Sequence, residues 1–157
     1  MTEFVYEEVK ILVCGGRDFD DYTMMDLWLT KLQNHIMMNM TNKPKWVLIH
    51  GGARGADTLA HRWAQANKIE DINVFKADWN THGKAAGALR NEEMLNEDPD
   101  YVIGFEGGNG TRHMCAISIT RSCFQPNSPL PKGVYHMPAD KRLRKVIDHR
   151  NDQLMYE

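Results

Sequence analysis

Short runs of apolar residues alternate along the chain with longer segments in which apolar residues recur every three or four positions. Three of the short runs are apolar on both faces and end in glycine clusters; they cover residues 9–14, 46–50 and 101–105. Runs of this kind are typical of strands buried in a parallel sheet. Two shorter runs, at residues 73–76 and 133–136, complete a set of five predicted strands.

The longer segments predict helices. In the first of them the three-and-four spacing places four apolar residues on one face, namely Met25, Leu29, Leu32 and Ile36. The predicted helices cover residues 22–38, 56–67, 86–96, 111–121 and 140–153. Because strands and helices alternate, we expect a Rossmann-like α/β fold: an open, mainly parallel five-stranded sheet with helices on both faces.

The composition is that of one compact domain. The chain has 157 residues, of which 42% are apolar and 25% charged, and this excludes collagen-like, disordered and disulfide-stapled proteins. We therefore expect a single domain over residues 1–157. The formal net charge of −2 creates no overall field that attracts nucleic acid, so nucleic-acid binding is disfavoured without being excluded.

Cysteine spacing and the hydropathy pattern indicate the compartment. The three cysteines lack C-x-x-C spacing, so neither a disulfide framework nor a zinc site is expected, and we predict no metal and no cofactor. The sequence also shows no signal peptide and no apolar run of about 18 residues. We expect a cytoplasmic protein that does not enter a membrane.

One glycine cluster joins the predicted strand 101–105 to the helix that follows it. Gly107, Gly108, Asn109 and Gly110 allow main-chain N–H groups to approach a phosphate, and the helix N-terminus adds about half a positive charge. Thr111 is suited to cap the helix or to donate its hydroxyl to the same anion. A tight turn without a ligand is the alternative.

Two more glycine clusters follow strands and carry an arginine each. Residues 15–18 are Gly-Gly-Arg-Asp, and residues 51–55 are Gly-Gly-Ala-Arg-Gly. The guanidinium of Arg54 suits a phosphate, and Arg17 repeats the arrangement. The carboxylates of Asp18 and Asp57 are either ligand contacts or acids that complement a helix N-terminus.

The three clusters are expected to converge, because the carboxyl ends of parallel strands meet at one edge of a sheet. They predict a nucleotide-like or phosphorylated ligand. Neither a G-x-G-x-x-G fingerprint nor a Gly-Lys-Ser/Thr motif occurs, which argues against ordinary NAD-dependent dehydrogenases and P-loop NTPases. The candidate ligand-binding residues of the clusters are Gly15, Gly16, Arg17, Asp18, Gly51, Gly52, Arg54, Gly55, Asp57, Gly107, Gly108, Asn109, Gly110 and Thr111.

Four further candidates lie outside the clusters: Lys84, Arg90 and Asn91 between the second and third clusters, and His50 directly before the second. Lys84, in the polar segment 81–87 that we predict to be a flexible loop, is placed to close over an anion. Arg90 either points at the ligand from the first turn of its helix, with Asn91 hydrogen-bonding nearby, or is a surface arginine. His50 is either an acid–base group or a structural histidine.

Several ordered motifs resemble one protein family. They are Gly-Gly-Arg-Asp-Phe (15–19), His-Gly-Gly-Ala-Arg-Gly-Ala-Asp (50–57), Ala-Asp-Trp (77–79), Gly-Lys-Ala-Ala-Gly (83–87), Arg-Asn-x-x-Met (90–94) and Gly-Gly-Asn-Gly-Thr (107–111). These motifs look like the YspA, YpsA-related branch of the SLOG superfamily, over about residues 10–123. Residues 126–157 are predicted to add a loop, the last strand and a terminal helix.

The resemblance implies a Rossmann-like domain that binds a nucleotide or a nucleotide-derived ligand of the phosphoribosyl or ADP-ribose type, often as a homo-oligomer. Such a domain acts as a sensor, as a sequestering protein or as a slow processing enzyme. The superfamily also includes LOG phosphoribohydrolases, which cleave the N-glycosidic bond of nucleoside 5′-monophosphates, and the DNA-uptake protein DprA. Each of these relatives supplies an alternative function.

The LOG reaction uses an arginine and a glutamate. Arg90 matches the arginine, whereas Met114 stands at the glutamate position and Glu106 at the position of a proline. An oxocarbenium-like transition state needs a carboxylate, which Glu106, Asp18, Asp57 or Glu92 could supply. Arg90 and Glu106 are the candidate catalytic residues, because Glu106 directly precedes the glycines; its alternative role is that of a solvated acid at a strand end. Whether the chain is an enzyme stays open at this point.

The DprA-like alternative is single-stranded DNA binding. Gly55, Asp57, Ala60 and His61 resemble the G-x-D-x-x-A-H motif of DprA. Against it stand the acidic net charge and the lack of basic residues interleaved with aromatics.

Overall fold

A computed structural model describes residues 5–123, 133–136 and 144–148. The elements are β1 (Tyr6–Cys14), α1 (Tyr22–Met38), β2 (Lys43–His50), α2 (Ala56–Ala66), β3 (Asp71–Val74), α3 (Trp79–His82), α4 (Ala86–Leu95), β4 (Tyr101–Gly104), α5 (Asn109–Cys123), β5 (Gly133–His136) and β6 (Arg144–Asp148). A 3₁₀ turn, Gly83–Ala85, joins α3 to α4.

The strands form one sheet in the order β3-β2-β1-β4-β5-β6. The chain runs outward from β1 to β3, then returns to place β4 on the other side of β1. The β1 pairs with β2 and β4 are parallel, with Leu12 opposite Ile49 and Cys14 opposite Gly104. The strand order therefore reverses between β1 and β4, and parallel sheets open a crevice at the carboxyl ends of such a strand pair.

The α/β class and the parallel sheet are confirmed, but the prediction of five strands is wrong. Four parallel strands lie within residues 5–123, and β5 and β6 extend the sheet to six. The error arises at residues 144–148, which form β6, antiparallel to β5, where a terminal helix was predicted. In this segment two β-branched residues, Val146 and Ile147, stand between charged residues. That pattern is compatible with an edge strand as well as with one face of a helix. The predicted loop and the remainder of the predicted terminal helix lie outside the described residues.

The helices cover both faces of the sheet, as predicted. Alternate residues of β1 point to opposite faces. Val9 and Ile11 pack with Trp28 of α1 and Trp63 of α2. On the other face a second cluster joins strand residues to α4 and α5; it includes Leu12, Val47, Met94, Val102 and Met114. The carboxyl edge of the sheet is thus held between two packed layers.

Helix α1 has the predicted bounds because a local capping signal sets its start. The Asp21 carboxylate accepts a hydrogen bond of 3.0 Å from the Met24 N–H, so α1 begins at Tyr22 as predicted.

The segment 81–87, which was predicted to be a flexible loop, is not an open loop. Asp78 accepts a hydrogen bond of 3.1 Å from the Thr81 N–H, and the chain continues through α3 and the 3₁₀ turn into α4.

Candidate functional site

The three glycine clusters meet at the carboxyl edge of the sheet. The Gly16 N–H donates to the Glu106 carbonyl oxygen at 2.9 Å, and the Gly16 carbonyl oxygen accepts from the Ala56 N–H at 3.1 Å. The turn after β1 is thereby joined through its main chain to the turn after β4 and to the first residue of α2. The convergence that the topology predicted is present in the fold.

The main chains of the three turns approach so closely that glycine is needed at positions 16 and 55. A Cβ on Gly16 would lie 2.7 Å from the Glu106 carbonyl oxygen. Gly55 has a φ of +81°, and a Cβ there would collide with the carbonyl oxygens of Gly16 and Arg17. Neither position has room for a side chain, so the three turns meet only because glycines occupy these positions.

A cavity of about 370 Å³ opens beside the joined turns. It lies between the turn after β1, helix α4 and the first turn of α5. The residues that line it are Cys14, Gly15, Gly16, Arg17, Ala53, Asp57, Trp79, Gly87, Arg90, Asn91, Met94, Gly108, Asn109, Gly110 and Thr111. We call this space the first cavity. Its size lies within the range of small-molecule sites.

The first turn of α5 forms one wall of the first cavity. The N–H groups of a helix's first turn have no acceptor within the helix, and the helix dipole makes this end positive. A Cβ placed on Gly108 or on Gly110 would meet nothing within 4 Å. This wall therefore leaves space for an anion next to the main chain of residues 108–111.

Arg90 is held between two clusters. Its Nη1 donates to the Gly51 carbonyl oxygen at 2.8 Å, and its Nε donates to the Asn91 Oδ1 at 3.2 Å. Burial lowers the pKa of the Arg90 guanidinium, although the neighbouring Asp57 opposes this effect. A guanidinium has five N–H donors, so these two hydrogen bonds leave donors for a ligand. Arg90 is therefore a positioned cation rather than a surface arginine.

Asn91 joins α4 to the start of α5. It is buried, and its Nδ2 lies 3.1 Å from both the Gly110 carbonyl oxygen and the His113 Nδ1. Since the same side chain accepts from Arg90, the amide fixes the guanidinium and the first turn of α5 relative to each other. Asn91 is thus a positioning residue at the cavity wall.

Of the described residues that line the first cavity, one carries a carboxylate, namely Asp57. It is 6% exposed, and its Oδ2 accepts a hydrogen bond of 3.1 Å from the Ala53 N–H. Burial raises the pKa of Asp57 to about 6, against the opposing effects of the Ala53 N–H and the Arg90 charge. This carboxyl group therefore exchanges a proton near neutral pH.

A second cavity of about 490 Å³ adjoins the first. Arg17, Ala53, Trp79 and Arg90 line both cavities, whereas the residues found only in the second are Gly51, Gly52, Arg54, Lys76 and Ala77. The Arg17 Cζ lies 5.6 Å from the centre of the Trp79 ring, which is 48% exposed. The second cavity is the more cationic of the two.

His50 is held as a neutral ring. The Gly52 N–H donates to His50 Nδ1 at 3.0 Å, so the ring proton is on Nε2, which lies 2.9 Å from His61 Nδ1. Burial, followed by the charges of His61 and Arg90, lowers the pKa of His50 to about 4. His50 therefore stabilises the turn after β2 and does not line either of these two cavities.

Most of the predicted site residues line at least one of the two cavities, and some do not. Six predicted residues line neither cavity: Asp18, His50, Gly55, Lys84, Glu106 and Gly107. Glu106 is exposed and contributes its carbonyl oxygen to the turn. Met114 is fully buried in the core. The residues that the sequence reasoning missed are Cys14, Ala53, Trp79, Gly87, Met94, Lys76 and Ala77. The signal for Trp79 was available, since this aromatic residue follows a strand at the carboxyl edge.

The described residues contain neither a membrane-spanning helix nor a metal-binding cluster of side chains. No helix in the described part of the chain is long and apolar enough to cross a bilayer. In the same residues, no group of three or more histidine, cysteine or carboxylate side chains has the arrangement of a metal site.

Together, the fold and the cavities define an α/β protein with two adjoining cavities at the carboxyl edge of a parallel sheet. The chain belongs to the YspA, cpYpsA-related SLOG family, whose sequence model matches residues 9–82. Membership suggests nucleotide-related ligand binding in general. The chain is also similar to "Gene 61 protein" of Mycobacterium phage D29, with 49% identity over 111 residues, or 66% of this chain and 83% of that protein. No solved structure matches it significantly.

Proposed function

We propose that the protein binds a nucleotide or a nucleotide-derived ligand, of the phosphoribosyl or ADP-ribose type, in the first cavity and acts as a sensor or sequestering protein. The observation that carries this proposal is the convergence of three glycine turns on one cavity. A phosphate fits the wall formed by residues 108–111, where main-chain N–H groups and Arg90 both supply donors. The Asp57 carboxylate is suited to accept hydrogen bonds from ribose hydroxyls.

The test is calorimetric titration of the full chain with AMP, ADP-ribose and NAD. We expect at least one of these to bind, and Gly108→Val to abolish that binding because the new side chain fills the space beside α5. Ala88→Val is the matched control, since Ala88 is exposed and lines neither cavity. Retained affinity in Gly108→Val, with unfolding curves like those of the parent, would remove the assignment.

A second candidate function is hydrolysis of the N-glycosidic bond of a nucleoside 5′-monophosphate. Asp57 favours it, because this carboxylate lines the first cavity with a raised pKa of about 6, whereas Met114 is in the core and Glu106 is exposed. In this reaction Arg90 would hold the phosphate and Asp57 would take the role first assigned to Glu106. Release of free base by the parent, lost in Asp57→Asn while the substrate still binds, would support it; no release from any monophosphate would exclude it.

The proposal includes a cytoplasmic location and a homo-oligomeric assembly. Cys14 and Cys115 are free, in keeping with a reducing cytoplasm. We also propose a homo-oligomer, which the family resemblance implies; α1 exposes the apolar side chains of Leu27 and Met38 by 51% and 86%. Light scattering of the purified chain measures its mass; a monomer at micromolar concentration would contradict the oligomeric part.

A further inference from the structure

The first cavity continues into a strongly cationic space. Arg17, Arg54, Lys76 and Arg90 all line the second cavity, and none of the described residues that line it carries a carboxylate. The chain as a whole has a net charge of −2. Four cations at one opening of an otherwise acidic chain are a local concentration of positive charge, and such a field attracts an anion.

Arg90 lies at the boundary of the two cavities. Two of its hydrogen bonds, to Gly51 and Asn91, fix the guanidinium in place, and the same group lines both spaces. A planar guanidinium with donors on several edges is able to bridge two neighbouring anionic groups. An anion in the second cavity would therefore share Arg90 with an anion in the first.

One carboxylate competes for this space from its edge. Asp18 Oδ1 lies 3.3 Å from Arg54 Nη2, and the two side chains are 96% and 75% exposed. Exposed ion pairs of this kind add little stability, so a ligand anion readily replaces Asp18 at the guanidinium. Removing this carboxylate should therefore strengthen anion binding in the second cavity.

We propose that the second cavity is a subsite for a further phosphate of the same ligand, so that the ligand is a nucleotide with two phosphate groups rather than a nucleoside monophosphate. This inference rests on the proposed function and names its ligand class. One phosphate lies beside residues 108–111, and the other lies among Arg54, Lys76 and Arg17. Trp79, which lines both cavities, offers its exposed ring to a base or ribose next to the two phosphates.

The experiment compares AMP with ADP-ribose by calorimetry on the full chain. ADP-ribose is expected to bind about tenfold more tightly or better. Lys76→Ala should weaken ADP-ribose binding by about fivefold to tenfold and leave AMP binding within about twofold. Asp18→Asn should strengthen ADP-ribose binding. Lys45→Ala is the charge-matched control, because Lys45 is an exposed residue near the amino end of β2, away from both cavities.

The outcomes separate this inference from the proposed function. If AMP binds and ADP-ribose binds no more tightly, or if Lys76→Ala weakens both ligands equally, the second subsite is overturned while nucleotide binding stands. If neither ligand binds, the proposed function fails and the subsite fails with it. If a deoxythymidine oligonucleotide binds more tightly than ADP-ribose and shows the same dependence on Lys76, the second cavity belongs to a nucleic-acid surface and the inference is wrong.

Discussion

The Arg90 Nη1 donates a hydrogen bond of 2.8 Å to the Gly51 carbonyl oxygen, and this contact joins residues that are 39 positions apart in the chain. A Cβ on Gly51 would lie 2.8 Å from the Arg90 Cζ, so a side chain at residue 51 would displace the guanidinium. The observed position of the guanidinium against the turn after β2 thus depends on the glycine. The identity of one residue controls the placement of the other.

This contact predicts the effect of Gly51→Ala. The methyl group should displace the Arg90 guanidinium and weaken ligand binding by about tenfold, with only a modest loss of stability. Because the substitution acts through Arg90, the double variant Gly51→Ala/Arg90→Ala should bind no more weakly than Arg90→Ala alone. Calorimetry of the three variants measures this coupling; strictly additive losses would show that Gly51 acts independently.

Gly16 and Gly108 should respond differently to the same substitution. Gly16→Ala places a methyl group 2.7 Å from the Glu106 carbonyl oxygen, so we expect a loss of about 1–3 kcal/mol in the free energy of unfolding. Gly108→Ala meets open space and should leave that free energy within about 0.5 kcal/mol. Urea denaturation of both variants tests the difference, and equal losses would argue against the close approach of the turns.

Asn91 should contribute to stability through its amide. Asn91→Ala removes the hydrogen bonds to the Gly110 carbonyl oxygen and from the Arg90 Nε, and the expected loss for the two together is about 1–3 kcal/mol. Glu92→Ala is the control on the same helix, because Glu92 is exposed and should change stability by less than about 0.5 kcal/mol. Chemical denaturation compares the two; an unaltered midpoint for Asn91→Ala would contradict the positioning role.

Asp57 and His50 should give opposite pH dependences of stability. Burial raises the pKa of Asp57 to about 6, so the folded state binds its proton more strongly than the unfolded state does, and stability falls as pH rises from about 4 to 6. The pKa of His50 is lowered to about 4, so the unfolded state binds the extra proton, and stability rises as pH increases from about 4 to 6.5.

Single substitutions separate the two effects. Asp57→Asn should stabilise the protein at pH 7, by on the order of 2–3 kcal/mol if the amide keeps the Ala53 contact, and should leave a curve that rises with pH. His50→Asn should leave a curve that falls between about pH 4 and 6. Thermal denaturation across this range measures both slopes. Parallel curves for the two variants would show that the pKa values of these groups are not shifted in opposite directions.

Much of the architecture could be predicted because the signals were local. Helix α1 has the predicted bounds, since Asp21 caps it and its apolar residues keep a regular spacing. The ends of β1 and β2 were also predicted, because glycines follow Cys14 and His50 directly. Their beginnings were placed three residues too late, because Tyr6 and Lys43 lie in segments that mix charged and apolar residues.

The site could be predicted only to the level of its main chain. Topology alone brings the three glycine turns to one edge, and this was foreseen. The inward direction of a side chain depends on packing, and this distinguishes Asp57, which lines the first cavity, from Glu106, which is exposed. The second cavity depends on how Trp79 and Lys76 approach Arg90 in space, and no spacing along the chain encodes this approach.

The turn after β1 is tied to its two neighbours by peptide groups, through Gly16. The frame of the pocket is consequently independent of most of the side chains that project into it. With the proposed ligand site, replacement of Arg54, Lys76 or Trp79 is expected to change which molecule is accepted while the scaffold stays intact. Selectivity and structural integrity would then be encoded at separate positions, and such a protein could exchange one small molecule for another during its evolution.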